Sequence, residues 1–257
     1  MGILNVTPDS FYDGGRYTGP NAILARAETM LREGATILDI GGYSTRPQAP
    51  EVPVEEERQR VIPAIQAIRK AFPDCFISVD TFRANIAEEA INTGADIIND
   101  VSGGELDNAM FDTAGRLQVP YILMHMRGTP QNMNKLTDYE DIVLELVSYF
   151  EKKIYLLHAA GVKDIILDPG FGFAKTLDQN YELLRRLPDL ALLGLPVLAG
   201  LSRKSMTYKL LDVPASEALA GTIALNTIAL MQGARILRVH DVKEAVQTIK
   251  LYTKSVG

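Results

Sequence analysis

Short apolar runs, each ending in a polar residue or a glycine and each followed by a helical stretch, recur eight times in this chain of 257 residues. The runs are 2–5, 37–40 ahead of Gly41-Gly42, 76–80, 97–100, 121–124, 165–168, 197–199 ahead of Gly200, and 236–239. Helical stretches follow at about 20–33, 54–71, 83–92, 108–117, 139–160, 177–187, 215–232 and 242–254. Gly34, Gly94, Gly161 and Gly233 close four of them, as a helix C-terminus favours. The runs are apolar throughout rather than alternating, which suits parallel strands covered on both faces. Repeated strand-then-helix order builds a parallel sheet through right-handed crossovers. Eight such units are what a (β/α)8 barrel, the TIM barrel, requires, and ~250 residues is its ordinary length. The expected fold is therefore α/β, a single-domain barrel over residues 1–257; a doubly wound open sheet is the runner-up. No linker, low-complexity run or shift in composition marks a second domain.

Net charge is −6 and no Lys/Arg-rich face stands out, which argues against a nucleic-acid surface. A local anion pocket needs only two or three cations and is unaffected. No stretch approaches the ~18 apolar residues of a membrane span, and no signal peptide precedes the first strand. The single cysteine, Cys75, rules out an internal disulfide and reads as a buried structural thiol in a cytoplasmic protein. The chain opens inside its first strand, so an upstream segment is expected to be missing.

In such a barrel the chemistry sits at the C-terminal ends of the strands. Residues two apart on a strand share a face. Arg238 and His240 then face the barrel mouth while Leu237 and Val239 pack on the helices. The same rule sends Asn5, Asp80, Asn99, Met124, Asp168, Gly200 and Ser202 to the mouth. Each has a plainer explanation taken singly. Asp80 or Thr81 caps the next helix; Ser202 is an N-cap with Lys204 idle in the first turn. Asp168 is a turn residue before Pro169-Gly170, Met124 is core, and Arg238 with His240 is a solvated strand end. Their accumulation at one rim favours a site.

Arg238 and His240, where the last strand adjoins the first, suit a phosphate-type anion. The side-chain oxygen of Asn5 suits a hard cation such as Mg2+, which accompanies phosphates with few protein ligands. Asp80, Asn99, Asp168 and Lys204 offer donors and acceptors deeper in the barrel, a mixture fitted to a flat heterocycle. A lone buried Lys204 would alternatively serve as a Schiff-base nucleophile, but nearby Asp residues keep an amine charged.

Several motifs together resemble the dihydropteroate synthase family. They are Asn5-Val6-Thr7-Pro8-Asp9-Ser10-Phe11, Gly42-Tyr43-Ser44-Thr45-Arg46-Pro47, Ser78-Val79-Asp80-Thr81, Ile98-Asn99-Asp100-Val101, Leu123-Met124-His125, Asp168-Pro169-Gly170-Phe171-Gly172-Phe173, Ser202-Arg203-Lys204-Ser205 and Arg238-Val239-His240-Asp241. They run in order over essentially the whole chain, one per strand end. The resemblance implies an enzyme that joins dihydropterin pyrophosphate to p-aminobenzoate, giving dihydropteroate for folate synthesis, with Mg2+. It implies catalytic roles for Asp80, Asn99, Asp168 and Lys204, which hold the pterin edge in a slot shaped by Met124, Phe173 and Gly200. It implies pyrophosphate binding by Asn5, Arg46, Arg238 and His240, with the metal at Asn5. It implies an aminobenzoate site, open to sulfonamides, made by Phe11, Thr45, Arg46, Pro47, Ser202 and Arg203. A homodimer through late barrel helices is also implied.

Tyr12 and Ala174 depart from the family pattern, Ala174 standing where Gly is common, which bears on loop geometry. Two further readings compete: a methyltransferase domain passing a folate methyl group to a corrinoid protein, and a non-catalytic pterin carrier. The Ser44–Pro47 loop and the Ser202-Arg203-Lys204 motif favour the synthase. Intact Arg46, Lys204, Arg238 and His240 weigh against a carrier, which has no need of a pyrophosphate site.

Overall fold

The structure, a computed structural model, describes residues 1–7, 20–43 and 51–257. Each apolar run becomes a strand: β1 Gly2–Asn5, β2 Ile37–Gly41, β3 Phe76–Asp80, β4 Ile97–Asp100, β5 Tyr121–Met124, β6 Ile165–Asp168, β7 Leu198–Ala199 and β8 Ile236–Leu237. The helices are α1 Pro20–Arg32, α2 Val54–Ala71, α3 Ala84–Thr93, α4 Met110–Leu117, α5 Ile142–Ala159, α6 Leu177–Arg185, α7 Ser205–Leu211, α8 Leu219–Met231 and α9 Val242–Val256.

Strands β1 to β6 pair in parallel in sequence order, and β7 pairs with β8. Parallel bridges Leu167–Val197 and Gly2–Val239 join the two sheets at both sides. The backbone bonds Leu167 N to Pro196 O, Ile3 N to Val239 O and Val239 N to Met1 O, each 2.9 Å, complete the ring. The chain is a (β/α)8 barrel.

The two faces of the strands separate as period-two alternation demands. Leu4, Leu38, Ile40, Ile77, Val79, Ile98, Leu123, Leu167, Ala199, Leu237 and Val239 pack outward in the layer between sheet and helices. Ile97, Ile122 and Leu198, with Met1, Ile37, Ile166 and Ile236 against them, fill the interior below the mouth. That apolar plug closes the barrel's floor, so the polar residues above it have solvent access from one end only.

Two expectations need correction. The helix expected after β7 over 215–232 is present as α8, but an additional helix precedes it: α7 begins at Ser205, directly after the Ser202-Arg203-Lys204 turn. Its Ser-Met-Thr-Tyr-Lys-Leu-Leu sequence is too short to show a helical period. Cys75 is half-buried rather than buried, at the N-terminal end of β3, opposite the mouth. Burial still raises its thiol pKa, which keeps it protonated and unreactive.

Candidate active site

At the β8 side of the mouth, a cation largely covered by the protein is held by two acids. Arg238 Nε donates to Asp39 Oδ2 at 2.6 Å, and Nη2 donates to Asp80 Oδ2. Asn99 Nδ2 donates to both Asp39 oxygens at 3.2 and 3.3 Å. Strands β2, β3, β4 and β8 thus meet in one network. Burial works against the Arg238 charge, but Asp39 and Asp80 hold its pKa above the usual range. Burial pushes the Asp80 carboxyl up to about 7, with Arg238 pulling it down and Asp39 adding to the rise. Neither Asp80 nor Thr81 caps α3, whose N-cap is Arg83; Thr81 Oγ1 accepts from Arg83 N at 3.2 Å and donates to the buried Glu57 at 2.6 Å, while Asp80 is held by Arg238.

Asp39 is the residue that sequence reasoning missed. It lies in β2, fully buried, two residues before Gly41, in register with Ile3 and Ser78. The signal was present, a charged residue inside an apolar run. Ending the strand at Ile40 hid that Asp39 and Gly41 share the inner face.

Beside this network, Ser202 Oγ lies 3.0 Å from His240 Nδ1 and accepts from the His240 backbone N–H at 3.1 Å. Ser202 thus fixes the His240 ring instead of capping α7. Arg203, held at φ +52° in the left-handed region, donates to Asp241 through Nε at 3.0 Å and Nη2 at 2.7 Å. Asn5 ends β1 next to Gly41.

On the β6 and β7 side the groups differ. Asp168 is buried, and its Oδ1 accepts from Gly170 N at 2.8 Å, so the turn reading and the site reading both hold. Burial raises its pKa, opposed by that bond and by Lys204. Lys204 Nζ donates to Phe171 O at 2.6 Å and lies 4.2 Å from the centre of the Phe173 ring. Burial lowers Lys204 to about 8 while Asp168 pulls it back, so the amine remains mostly charged at neutral pH. Gly200 faces Asp168, a Cβ built there standing 3.9 Å from Oδ2. Met124 is buried with Val101, Met126, Met133 and Ala174, and Phe173 packs on that cluster. Ala174, where the family pattern favours glycine, takes φ +49°.

The structure therefore brings together Asp80, Asn99 and Arg238 in one network, and Asp168, Phe173 and Lys204 around one turn. Met124 and Gly200 adjoin the second group, and Ser202 and His240 form a pair. Phe11, Thr45, Arg46 and Pro47 lie outside the described residues, as does Tyr12. Among the described residues no three Asp, Glu, His or Cys side chains gather into a metal cage. A carboxylate-lined rim of this kind, with an aromatic ring and a methionine beside the buried Asp168 and the half-buried Lys204, offers donors, acceptors and an apolar face that suit a planar polar ring.

Known proteins agree. Residues 1–240 match the family model for pterin binding enzymes, and the chain belongs to that family. The dihydropteroate synthase of Synechocystis is 48% identical over 254 residues, 98% of this chain and 88% of that protein. The dihydropteroate synthase of Yersinia pestis, solved with a sulfonamide drug, superposes with a TM-score of 0.94 at 44% identity, covering 99% of this chain and 93% of that one. The Xanthomonas albilineans enzyme, solved with 4-aminobenzoic acid, gives a TM-score of 0.93 at 40% identity over 100% of this chain and 92% of that one.

Proposed function

We infer that this chain is an enzyme that condenses dihydropterin pyrophosphate with p-aminobenzoate, releasing pyrophosphate and forming dihydropteroate. The observation that carries this reading is the buried Asp168 and the half-buried Lys204 gathered around the Phe173 turn, at the mouth of a barrel whose relatives are dihydropteroate synthases. Asp168 offers two acceptor oxygens to the paired N–H groups of a pterin edge; Lys204 offers a donor to its ring acceptors. Phe173, Met124 and Gly200 supply a flat, apolar slot for the ring. Asn99 and Asp80 address its far edge.

His240, Arg238, Asn5 and Arg46 serve the pyrophosphate. The side-chain oxygen of Asn5 would hold a Mg2+ ion, which takes few protein ligands in phosphate sites. When bound, the ion neutralises charge on the departing group. Phe11, Thr45, Pro47, Ser202 and Arg203 serve the aminobenzoate. The aryl amine is a weak nucleophile because its lone pair is delocalised into the ring. We therefore assign departure before attack. The bond from the pterin methylene carbon to oxygen breaks, its electron pair leaving with pyrophosphate. Arg238 and His240 stabilise the growing negative charge, and Asp80 and Asp168 stabilise the pterin cation. The amine lone pair then forms the C–N bond, and the amine loses a proton.

Two coarser features complete the reading. No helix of the described residues is long and apolar enough to cross a membrane, which accords with a cytoplasmic enzyme. Helix α8 is apolar all round and leaves Ala220, Ala224, Ile228 and Met231 exposed along one stripe, which supports a homodimer through the late helices.

The test is direct. Purified protein with Mg2+ and both substrates should form dihydropteroate, and without amine should release pyrophosphate slowly as water captures the cation. Borohydride trapping of a carbonyl substrate on Lys204, or a requirement for a corrinoid partner, would replace this reading with an aldolase or a methyltransferase.

A further inference from the structure

One buried charge in this barrel is not used by the chemistry above. Lys175 lies seven residues past Asp168, buried beneath the turn that follows β6. Its three ammonium protons meet three acceptors: Gly170 O at 3.0 Å, Phe173 O at 3.0 Å and His125 Nδ1 at 3.1 Å. Among the described residues no carboxylate is hydrogen-bonded to it. Burial lowers Lys175 to about 7, Asp168 pulling it up and Lys204 and Arg127 pushing it further down. Burial also holds His125 well below its usual range, so its ring is neutral and Nδ1 accepts. A lysine kept at this cost has a geometric task, because an apolar side chain would leave the carbonyl of Phe173 without a donor and that of Gly170 with only the Phe173 N–H, at 3.0 Å.

The geometry supplies that task. Gly170 donates its N–H to Asp168 and gives its carbonyl to Lys175. Its φ is +68°, and a Cβ there would stand 2.1 Å from His125 O, so the turn passes too close to β5 for any other residue. Phe171, the next residue, presents the carbonyl that holds Lys204 at 2.6 Å. Gly172 N donates to the buried Asn180 Oδ1 at 2.6 Å, which anchors the turn's outer side. Phe173, whose carbonyl Lys175 binds, carries the ring under Lys204.

We propose that Lys175, seated on His125, is a positioning residue for pterin recognition: it fixes the Gly170–Phe173 turn and so sets where Lys204 and the Phe173 ring meet the pterin. The proposal rests on the reading that the pterin ring lies at Asp168 and Lys204. It touches no substrate atom and acts through Phe171 O.

Calorimetric titration with 6-hydroxymethylpterin tests it in wild type, Lys175→Met, Lys204→Met and the double variant. Lys175→Met keeps the stem's length and removes all three donations. Affinity should fall roughly 10- to 100-fold, because a small displacement of a recognition group is that costly. The KM for p-aminobenzoate, at saturating pterin pyrophosphate, should change less than about threefold. Since part of the effect of Lys175 runs through Lys204, Lys175→Met should cost less affinity in the Lys204→Met background than in wild type. Unchanged affinity in Lys204→Met would overturn the pterin-site reading and this inference with it. A loss in Lys204→Met with none in a folded Lys175→Met, or losses that simply multiply, would overturn this inference alone. If Lys175→Met does not fold, His125→Phe decides, since it keeps an aromatic ring edge-on to Tyr149, now 4.8 Å from the imidazole, and removes one acceptor. A weaker pterin affinity with an unmoved p-aminobenzoate KM then supports the proposal, and an unmoved pterin affinity overturns it.

Discussion

Arg238 and Lys175 are both basic side chains withdrawn from solvent at the mouth of one barrel, Arg238 largely covered and Lys175 buried, and their surroundings act on their charge in opposite ways. Arg238 is gripped by Asp39 and Asp80, whose charges hold its pKa above the usual range against the cost of burial. Lys175 has only two carbonyls and an imidazole, and burial takes it down to about 7. The planar guanidinium, with its fork of donors, joins strands that lie far apart in sequence. The compact ammonium gathers one turn onto itself. The difference separates two tasks: the β8 side carries paired charge suited to an anion and a cationic intermediate, and the β6 side carries a shaped turn suited to a ring.

The largest effect should come from breaking the first arrangement. Arg238→Met leaves the buried Asp39 and the largely covered Asp80 without their counter-charge, which costs about 3–5 kcal/mol of stability. Adding Asp39→Asn should return part of that loss in denaturant unfolding, because one uncompensated charge goes. No return would mean the acids are not Arg238's partners in solution. Next in size is Asp168→Asn. An amide must present a donor where the pterin also presents one, and the mismatch should weaken a pterin analogue by about 1–3 kcal/mol in calorimetry.

A smaller effect separates the two cations by pH. Between about 7 and 10.5 the unfolded chain keeps a proton on Lys175 that the folded chain has lost. Stability rises with pH wherever the unfolded state binds more protons. Wild type should therefore gain stability relative to Lys175→Met as pH climbs through that window, and a flat difference would show an ordinary lysine. Arg238, held above its usual range, should give no such change there. The smallest effect belongs to Cys75→Ser, at the far end of β3, which should alter stability by about 0.5 kcal/mol or less and leave turnover intact.

What could be read from the chain divides along the same line. The barrel was legible because eight apolar runs and their helices repeat one pattern, and period two placed Asp80, Asn99, Asp168 and Arg238 on the inner face. Within that pattern Asp39 was lost by one residue of strand length, since a run closed at Ile40 hides the parity with Gly41. Lys175 was not legible at all. It lies in an irregular turn, where no period says which way a side chain points, and its partners are mostly backbone carbonyls. The Ser202–His240 contact joins residues 38 apart through the adjacency of β7 and β8, which follows from the topology and not from local pattern. The helix at Ser205 was missed because its seven residues span only two turns.

The central claim is that the mouth is divided, with ring recognition at β6 and anion recognition at β8. Arg238 is a poor probe of that division, since its loss also strands two buried acids. His240 is a cleaner one, because its ring is oriented by the Ser202 hydroxyl at 3.0 Å. The deciding measurement is the affinity of dihydropterin pyrophosphate and of 6-hydroxymethylpterin for His240→Ala and for Asp168→Asn. The account predicts that His240→Ala weakens only the pyrophosphate-bearing ligand, while Asp168→Asn weakens both by the same factor. Equal losses for both ligands in His240→Ala, or a loss confined to the pyrophosphate-bearing ligand in Asp168→Asn, would contradict it.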